Sequence, residues 1–497
     1  MGFNYLSLIV FLPLAGAAII ALVPRLSSRL MRYIAAFFTL VPLVLSLTLF
    51  ASFDRSAAMA GAIQFEESMS WIPAINANYH LGVDGLSLPL VVLTTLIGFL
   101  VILISWKIDY RVREYFAWLL LLETSILGVF CSLDLLLFFV FWEIEVIPMY
   151  FLISIWGSGR KEYSAIKYVI YTLFGSAFML AGIISLYFAT GSLDMVELSK
   201  NGLAMVQSVM SAVPIFFLLL AGFAVKLPVF PLHTWLPDAH TDAPTAASVV
   251  LAGTLIKMGG YGMIRVCLSI FPQVAQDYAP LLLALATINV VYGAAVTLKQ
   301  TDLKRLIAYS SISHMGFVLL GIFALGKLSL VGASLQMVSH GLITGLLFAV
   351  SGIMMHNTHE REIGKLGGLA HQMPAITAIF VIGGLGAMAV PSTSGFAAEV
   401  TVFLGAFSST AVSGVHIYTI ICLSAVVLAA AYVLWLVQRV FFGPPLARFD
   451  GVKDADRLEK IYCAIFIILI FLVGIYPMIL TDVIKTGIIP IASLFGG

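Results

Sequence analysis

DLLLFFVFWEIEVIPMYFLISIW, residues 134–156, is long enough to cross a bilayer as a helix, yet it carries two carboxylates, Glu143 and Glu145, near its middle. A hydrocarbon core is crossed by about 20 apolar residues in helical conformation. A charge at that depth costs about 2.5–3.5 kcal/mol and is rarely kept without use. The same reading applies to Lys226 in FFLLLAGFAVKLPVF, to Lys257 in ASVVLAGTLIKMGGYGMI, and farther on to His314, His340 and Glu399. Ionisable groups of both signs recurring inside apolar stretches are what a relay for protons or cations requires.

The whole chain has the same character. Its 497 residues are 61% hydrophobic and 10% charged, with a formal net charge of +1, and the mean hydropathy is +1.06. A soluble domain carries about 25% charged residues, so this is a polytopic membrane protein. The near-zero net charge excludes an electrostatic nucleic-acid surface. Cys131, Cys267, Cys422 and Cys463 lack the spacing of a zinc or iron–sulfur site and form no disulfide framework. There is no Walker A motif, dinucleotide fingerprint or nucleophile elbow. No catalytic, cofactor-binding or metal residue is therefore assigned. The first apolar run has no basic segment ahead of it and reads as a retained helix rather than a cleaved signal.

Apolar windows begin near Tyr5, Tyr33, Gly85, Tyr115, Asp134, Ser164, Ser208, Ala243, Ala279, Leu303, Val331, Pro374, His416 and Ile461. They predict an all-α fold of about 14 transmembrane helices in one membrane domain, residues 1–497. Arg and Lys crowd the odd-numbered connections: Arg25 and Arg29, Lys107 and Arg111, Arg160 and Lys161, Lys299 and Lys304, Arg361 and Lys365. That bias places the odd connections in the cytoplasm and both termini outside.

Two helices are expected to break at mid-depth. Lys226 is followed by Pro228, Pro231 and Pro237, and residues 389–396 read AVPSTSGF just before Glu399. Pro removes a backbone donor, and irregular backbone in a membrane marks a lined cavity. Paired interruptions at matching distances after Asp134 and Asp302 predict two inverted five-helix repeats. Their bounds are 115–268 and 279–442, after three N-terminal helices in 1–114 and before a last helix over 461–482.

Within this frame Glu143 is expected to pair with Lys226, while Glu145, two positions on, faces elsewhere and lies off the path. The competing reading is a structural ion pair. Lys257 sits mid-span with no acid one turn away, too deep to snorkel to an interface. His314 lies among Ser310, Ser311 and Ser313. His340 adjoins the small-residue step of Gly341 and Gly345. Each histidine alone reads as a packed core residue; in line between Lys257 and Glu399 they read as a proton shuttle. Glu123 lines a lateral path or serves packing. Asp238, His240 and Asp242, in a connection on the cytoplasmic side, gather protons or are merely solvated. Lys304 stands at that same side.

The segments LGVDGLSLPL, FWEIEVIPMYFLISIWG, KLPVFPLHTWLPDAHTDAPTAASVVLAGTLIKMGGYG, QTDLKRLIAYSSISHMGF and SHGLITGLLF resemble the antiporter-like chains of proton-translocating NADH:quinone oxidoreductase, respiratory complex I. WEIEVIPMYFLISIWG and a glutamate at position 399 are similar to its subunit M (chain 4) type. The resemblance implies that Glu143, Lys226, Lys257, His314, His340 and Glu399 carry protons, within a translocase whose NADH, FMN, iron–sulfur clusters and quinone belong to partner subunits. It implies L-type and N-type neighbours in the membrane arm and a place in the inner (plasma) membrane. Ser392 stands where the family commonly has glycine, which implies a stiffer turn. Cation/proton antiporters of the Mrp type, membrane-bound hydrogenases and F420-linked dehydrogenases use similar chains and are the alternatives. A scaffold that binds quinone or lipid without moving ions leaves six intramembrane ionisable groups unexplained.

Overall fold

A computed structural model describes residues 4–496. Helices occupy every one of the fourteen expected positions. In chain order they are α1 (Tyr5–Leu22), α2 (Ser28–Ser52), the short α3 (Arg55–Met59), a hairpin of β1 (Gln64–Ile72) and β2 (Ala77–Val83), α4 (Leu88–Ile104) and α5 (Val112–Cys131). The first half continues with α6 (Leu135–Ile144), α7 (Val146–Trp156), α8 (Lys161–Thr190), the surface helix α9 (Met195–Gln207), α10 (Ala212–Lys226) and α11 (Trp235–Asp242), then α12 (Thr245–Leu268). The second half holds α13 (Pro272–Thr297), α14 (Leu303–Phe323), α15 (Lys327–Thr358), α16 (Pro374–Ala387), α17 (Ser394–Phe407) and α18 (Val415–Val440), followed by α19 (Arg457–Ile475) and α20 (Met478–Ala492).

The long connection over residues 51–84, which hydropathy leaves blank, is largely the antiparallel hairpin, with Glu67 opposite Leu81 and Ser68 opposite His80. The C-terminal part also differs from the single helix expected over 461–482. Tyr476, ahead of Pro477, leaves helical geometry at ψ 67°, because a following proline disfavours the α region. Helix α20 follows. It is fastened beside the hairpin by the Arg55–Asp482 ion pair of 3.6 Å, on the face opposite the Lys/Arg-rich connections.

Both expected breaks are present. α10 stops at Lys226 because Leu227, preceding Pro228, takes ψ 93°. α16 gives way after Ala387 to a turn in which Ala389 and Ser392 hold φ of 52° and 77°. Ser392 therefore occupies a left-handed position, where glycine would be relaxed.

The two halves repeat one backbone device on opposite faces. Asp134 caps α6, accepting from the Leu136 and Leu137 amides; Asp302 caps α14, accepting from the Arg305 amide. Asp134 bridges to Asp194, and Asp302 to Glu362, sixty residues on in each case. Leu135 and Met195 N–H groups donate to Leu193 and Leu133 carbonyls; Leu303 and Ile363 donate to Arg361 and Thr301. Five spans separate the two aspartates, so one bridge lies on each side of the membrane. That is the mark of inverted topology.

The centre of the bundle is α12, α14 and α15. Every residue in the apolar windows of α12 and α15 is buried, and 94% of those in α14, against 33% in α2, α18 and α19. The central helices are thus shielded from lipid, and Lys257, Lys304, His314 and His340 ride on them.

Candidate functional site: a buried line of ionisable side chains

The first cluster departs from the expected pairing. Lys226, 1% exposed, forms its ion pair with Glu145, 0% exposed, and not with Glu143. Tyr168 of α8 donates to the other Glu145 oxygen at 2.6 Å, and the Lys226 ammonium stands over the rings of Trp142 and Tyr168 at 5.3 and 5.6 Å. Glu145, at the α6–α7 junction, keeps α-region angles of φ −65° and ψ −24°, so the two carboxylates stay two helical positions apart and only one of them can face the bundle interior. That one is Glu145, where Lys226 and Tyr168 meet it. Glu143, nearly opposite on the helix, is half-buried, with an Oε1 that finds no partner among the described residues.

The second cluster is continuous. Lys257 lies between two π-helical stretches, Leu251–Leu255 and Met263–Leu268. Such widened turns shift the backbone ladder, with Ile256 N–H bonding back to Leu251. Lys257 Nζ donates to the Ala252 carbonyl and lies 2.8 Å from His340 Nδ1. Gly341 makes this approach of α12 and α15 possible, since a Cβ there would fall 2.6 Å from the Gly253 carbonyl oxygen. The His340 and His314 rings are 5.7 Å apart between centroids, and His314 Nδ1 is 3.2 Å from Glu399 Oε1. A cavity of about 10 Å³, lined by both histidines, Gln336, Thr344 and Glu399, adjoins them. That is the lower limit of space for one water. The four groups follow one another from α12 through α15 and α14 to α17.

The accessory residues separate. Asp238, His240 and Asp242 do not sit in a solvated connection; they lie on α11, and all three are buried. Asp238 and Asp242, one turn apart, share a face. Asp238 pairs with Lys167 at 2.7 Å and Arg305 at 3.4 Å. Asp242 accepts from Ser164 at 2.6 Å and meets Arg361 at 3.8 Å. His240 points the other way, stacked on Phe348 at 4.7 Å, and neither ring nitrogen has a partner among the described residues. Lys304, also buried, donates to the Ala243 carbonyl at 2.8 Å. Glu123 is buried in α5. Tyr168, Gln336 and His233 escape a reading built on charge. His233 is held between Phe230 and Tyr292. Their only sequence signal is polarity inside an apolar run.

Opposite the basic face, His80 of β2 lies between Asp194 at 2.6 Å and Glu66 at 2.9 Å. Burial favours its neutral form, and the two carboxylates outweigh that, holding its pKa above the ordinary value.

Residues 132–425 match the family described as NADH:quinone oxidoreductase/Mrp antiporter, TM. The chain is 40% identical to NADH-quinone oxidoreductase subunit M of Rhodobacter capsulatus, over 98% of its own length and 96% of the relative's. It is 41% identical to NAD(P)H-quinone oxidoreductase chain 4 1 of Synechococcus sp. (strain JA-2-3B'a(2-13)), with 99% and 93% covered. Among solved structures it is similar to a chain of respiratory complex I from Thermus thermophilus with bound NADH, at TM-score 0.88 and 28% identity, covering 99% of this chain and 100% of that one. A chain of the Mrp complex from Dietzia sp. DQ12-45-1b has TM-score 0.85 at 18% identity over 99% and 97%, a likeness of fold alone.

Proposed function

The chain belongs to the NADH:quinone oxidoreductase/Mrp antiporter transmembrane family, and from that premise we propose that it is the M-type proton-translocating membrane subunit of an NADH:quinone oxidoreductase. The observation that carries the proposal is the contact sequence Lys257, His340, His314, Glu399. Its basic and acidic groups lie within hydrogen-bond or ring-contact distance in the protein centre. A proton leaving Lys257 Nζ is accepted by His340, passes by ring rotation and the adjoining cavity to His314, and is taken by the Glu399 carboxylate. Near-full-length identity to subunit M chains favours this reading over the Mrp antiporter, with which the likeness is one of fold.

In this reading the Lys/Arg-rich face is cytoplasmic and both termini are outside, in the inner (plasma) membrane. Protons gather on that face near Lys304, Arg305, Asp238 and Asp242, and release occurs beyond Glu399. Lys226 rests on Glu145, and Glu143 is the second carboxylate through which this pair answers changes in a neighbouring subunit. L-type and N-type chains flank it in the membrane arm. NADH, FMN, iron–sulfur clusters and quinone are held by partners, which perform the electron transfer. The repeats 115–268 and 279–442 are the two halves of the pump.

The test is His340→Leu in the intact complex, followed as NADH-driven proton uptake into inverted vesicles. Pumping should fall by about tenfold or more, since a positioned acid–base group contributes at least that much. Undiminished pumping with normal assembly on native gels refutes the relay.

A further inference from the structure

Glu123 has no part in the line of contacts above. Its side chain is 5% exposed, and its Oε1 accepts no hydrogen bond among the described residues. A buried carboxylate without a donor is costly unless water reaches it. Water has room to. A cavity of about 10 Å³ adjoins the carboxylate between α4, α5 and α12, with Thr94 and Thr254 on its wall. Those hydroxyls donate to their own helices, to Leu90 at 2.7 Å and Val250 at 3.1 Å. Their lone pairs remain for a water. Gly98 makes the room, since a Cβ there would stand 2.3–2.5 Å from the three carboxyl atoms of Glu123.

Nearer the basic face the same helices border a separate, larger cavity of about 150 Å³, enough for several waters, framed by Ser105 and Lys107 after α4, Tyr115 of α5, Thr245 of α12, His356 of α15 and Glu459 of α19. Lys107 bonds Glu459 at 2.7 Å, and Ser105 bonds Tyr115 at 3.1 Å. Tyr115 and Glu123 are two turns apart on α5, about 12 Å at helical rise. Thr254 lies one turn from Lys257, whose Nζ reaches back toward the basic face to the Ala252 carbonyl.

We propose that the α4–α5–α12 seam is a proton inlet from the basic face to Lys257, with Glu123 as its carrier, separate from the Lys226–Glu145 pair. A proton from water in the outer cavity passes along the seam to water beside Glu123, whose carboxylate takes it and releases it through water beside Thr254 to the unprotonated Lys257 amine. Lys257 passes it on to His340, and Glu123 returns to its ionised form. The inlet rests on the relay reading, so the experiment separates the two.

Proton uptake per NADH oxidised is measured in inverted vesicles holding the whole complex, for Glu123→Gln, Glu123→Asp, Ala246→Phe and Lys257→Met. Glu123→Gln keeps size and hydrogen bonding but cannot carry a proton, and should lower uptake about tenfold. Glu123→Asp should restore a large part of it, a rescue that a packing role does not give. Ala246→Phe fills the outer cavity and should lower uptake with Glu123 intact. Wild-type uptake in Glu123→Gln, with Lys257→Met inactive, overturns the inlet and leaves the relay standing. Wild-type uptake in Lys257→Met overturns both. If Glu123→Gln fails to assemble, Ala246→Phe decides: uptake within error of wild type there overturns the inlet.

Discussion

Removing one partner of the Lys226–Glu145 pair should damage the protein more than removing both. The two side chains are 1% and 0% exposed. Glu145→Leu leaves an ammonium against Trp142 and Tyr168 with no counter-charge, and deprives the Tyr168 hydroxyl of its acceptor. Breaking a buried pair in this way costs about 3–5 kcal/mol, and the stranded hydroxyl adds about 1 kcal/mol or more. Lys226→Met strands the Glu145 carboxylate at similar cost. The double variant buries no unpaired charge, so the two losses should fall short of additivity by about 3 kcal/mol. Heat-induced loss of the complex on native gels ranks the variants: each single variant should dissociate well below wild type, and the double above either. Glu143→Leu is the comparison, because Glu143 does not touch Lys226 and acts on it only through space. Its coupling to Lys226→Met should be clearly smaller than that of Glu145→Leu. If Glu143 shows the larger coupling, the assignment of the pair is wrong.

Glu399→Gln keeps the hydrogen bond to His314 but cannot ionise, and proton uptake should fall about tenfold; wild-type uptake removes Glu399 from the release step. His80 binds its proton more tightly folded than unfolded, so its contribution is fully present below pH 6.5 and fades as pH rises through its raised value. Amide exchange over residues 64–83, corrected for intrinsic rate, should quicken on the alkaline side, and His80→Gln should flatten that dependence; equal profiles in both proteins mean that the His80 ion pairs do not hold the hairpin. Ser392→Gly relaxes a left-handed backbone and should raise the thermal midpoint of the complex, by up to about 1 kcal/mol of stability; a lowered midpoint means the serine side chain holds the turn. A reporter active only in the cytoplasm should be bright when inserted after Gly443 and silent after Gly414, and the reverse pattern inverts the proposed topology.

Hydropathy was enough to locate the spans, because burial in lipid leaves a long, unalternating apolar run. Pro228 and the residues 389–396 were enough to locate the breaks, because few residues tolerate those backbone shapes. What did not show in the sequence was geometry that depends on a partner. Regular helical spacing puts Glu143 and Glu145 on nearly opposite faces, but which of them turns inward is set by Lys226 and Tyr168 on other helices. The hairpin over residues 64–83 carries His80 and Glu67, whose partners Asp194 and Ser7 lie far away in the chain. Asp238 and Asp242 read in the sequence as proton-gathering or merely solvated, because their cations, Lys167, Arg305 and Arg361, come from elsewhere in the chain. The line from Lys257 to Glu399 was legible as a set of residues, and its order became visible only once α12, α15, α14 and α17 were packed together.

The bridges Asp134–Asp194 and Asp302–Glu362 do the same job facing opposite compartments. A five-span unit of this design has no backbone feature that tells it which way to enter a bilayer, since its clasp closes equally well on either side. Direction is written in the arginines and lysines of the connections alone. Within one chain, a bias of basic residues toward one face is therefore sufficient to hold one such unit up and the other down.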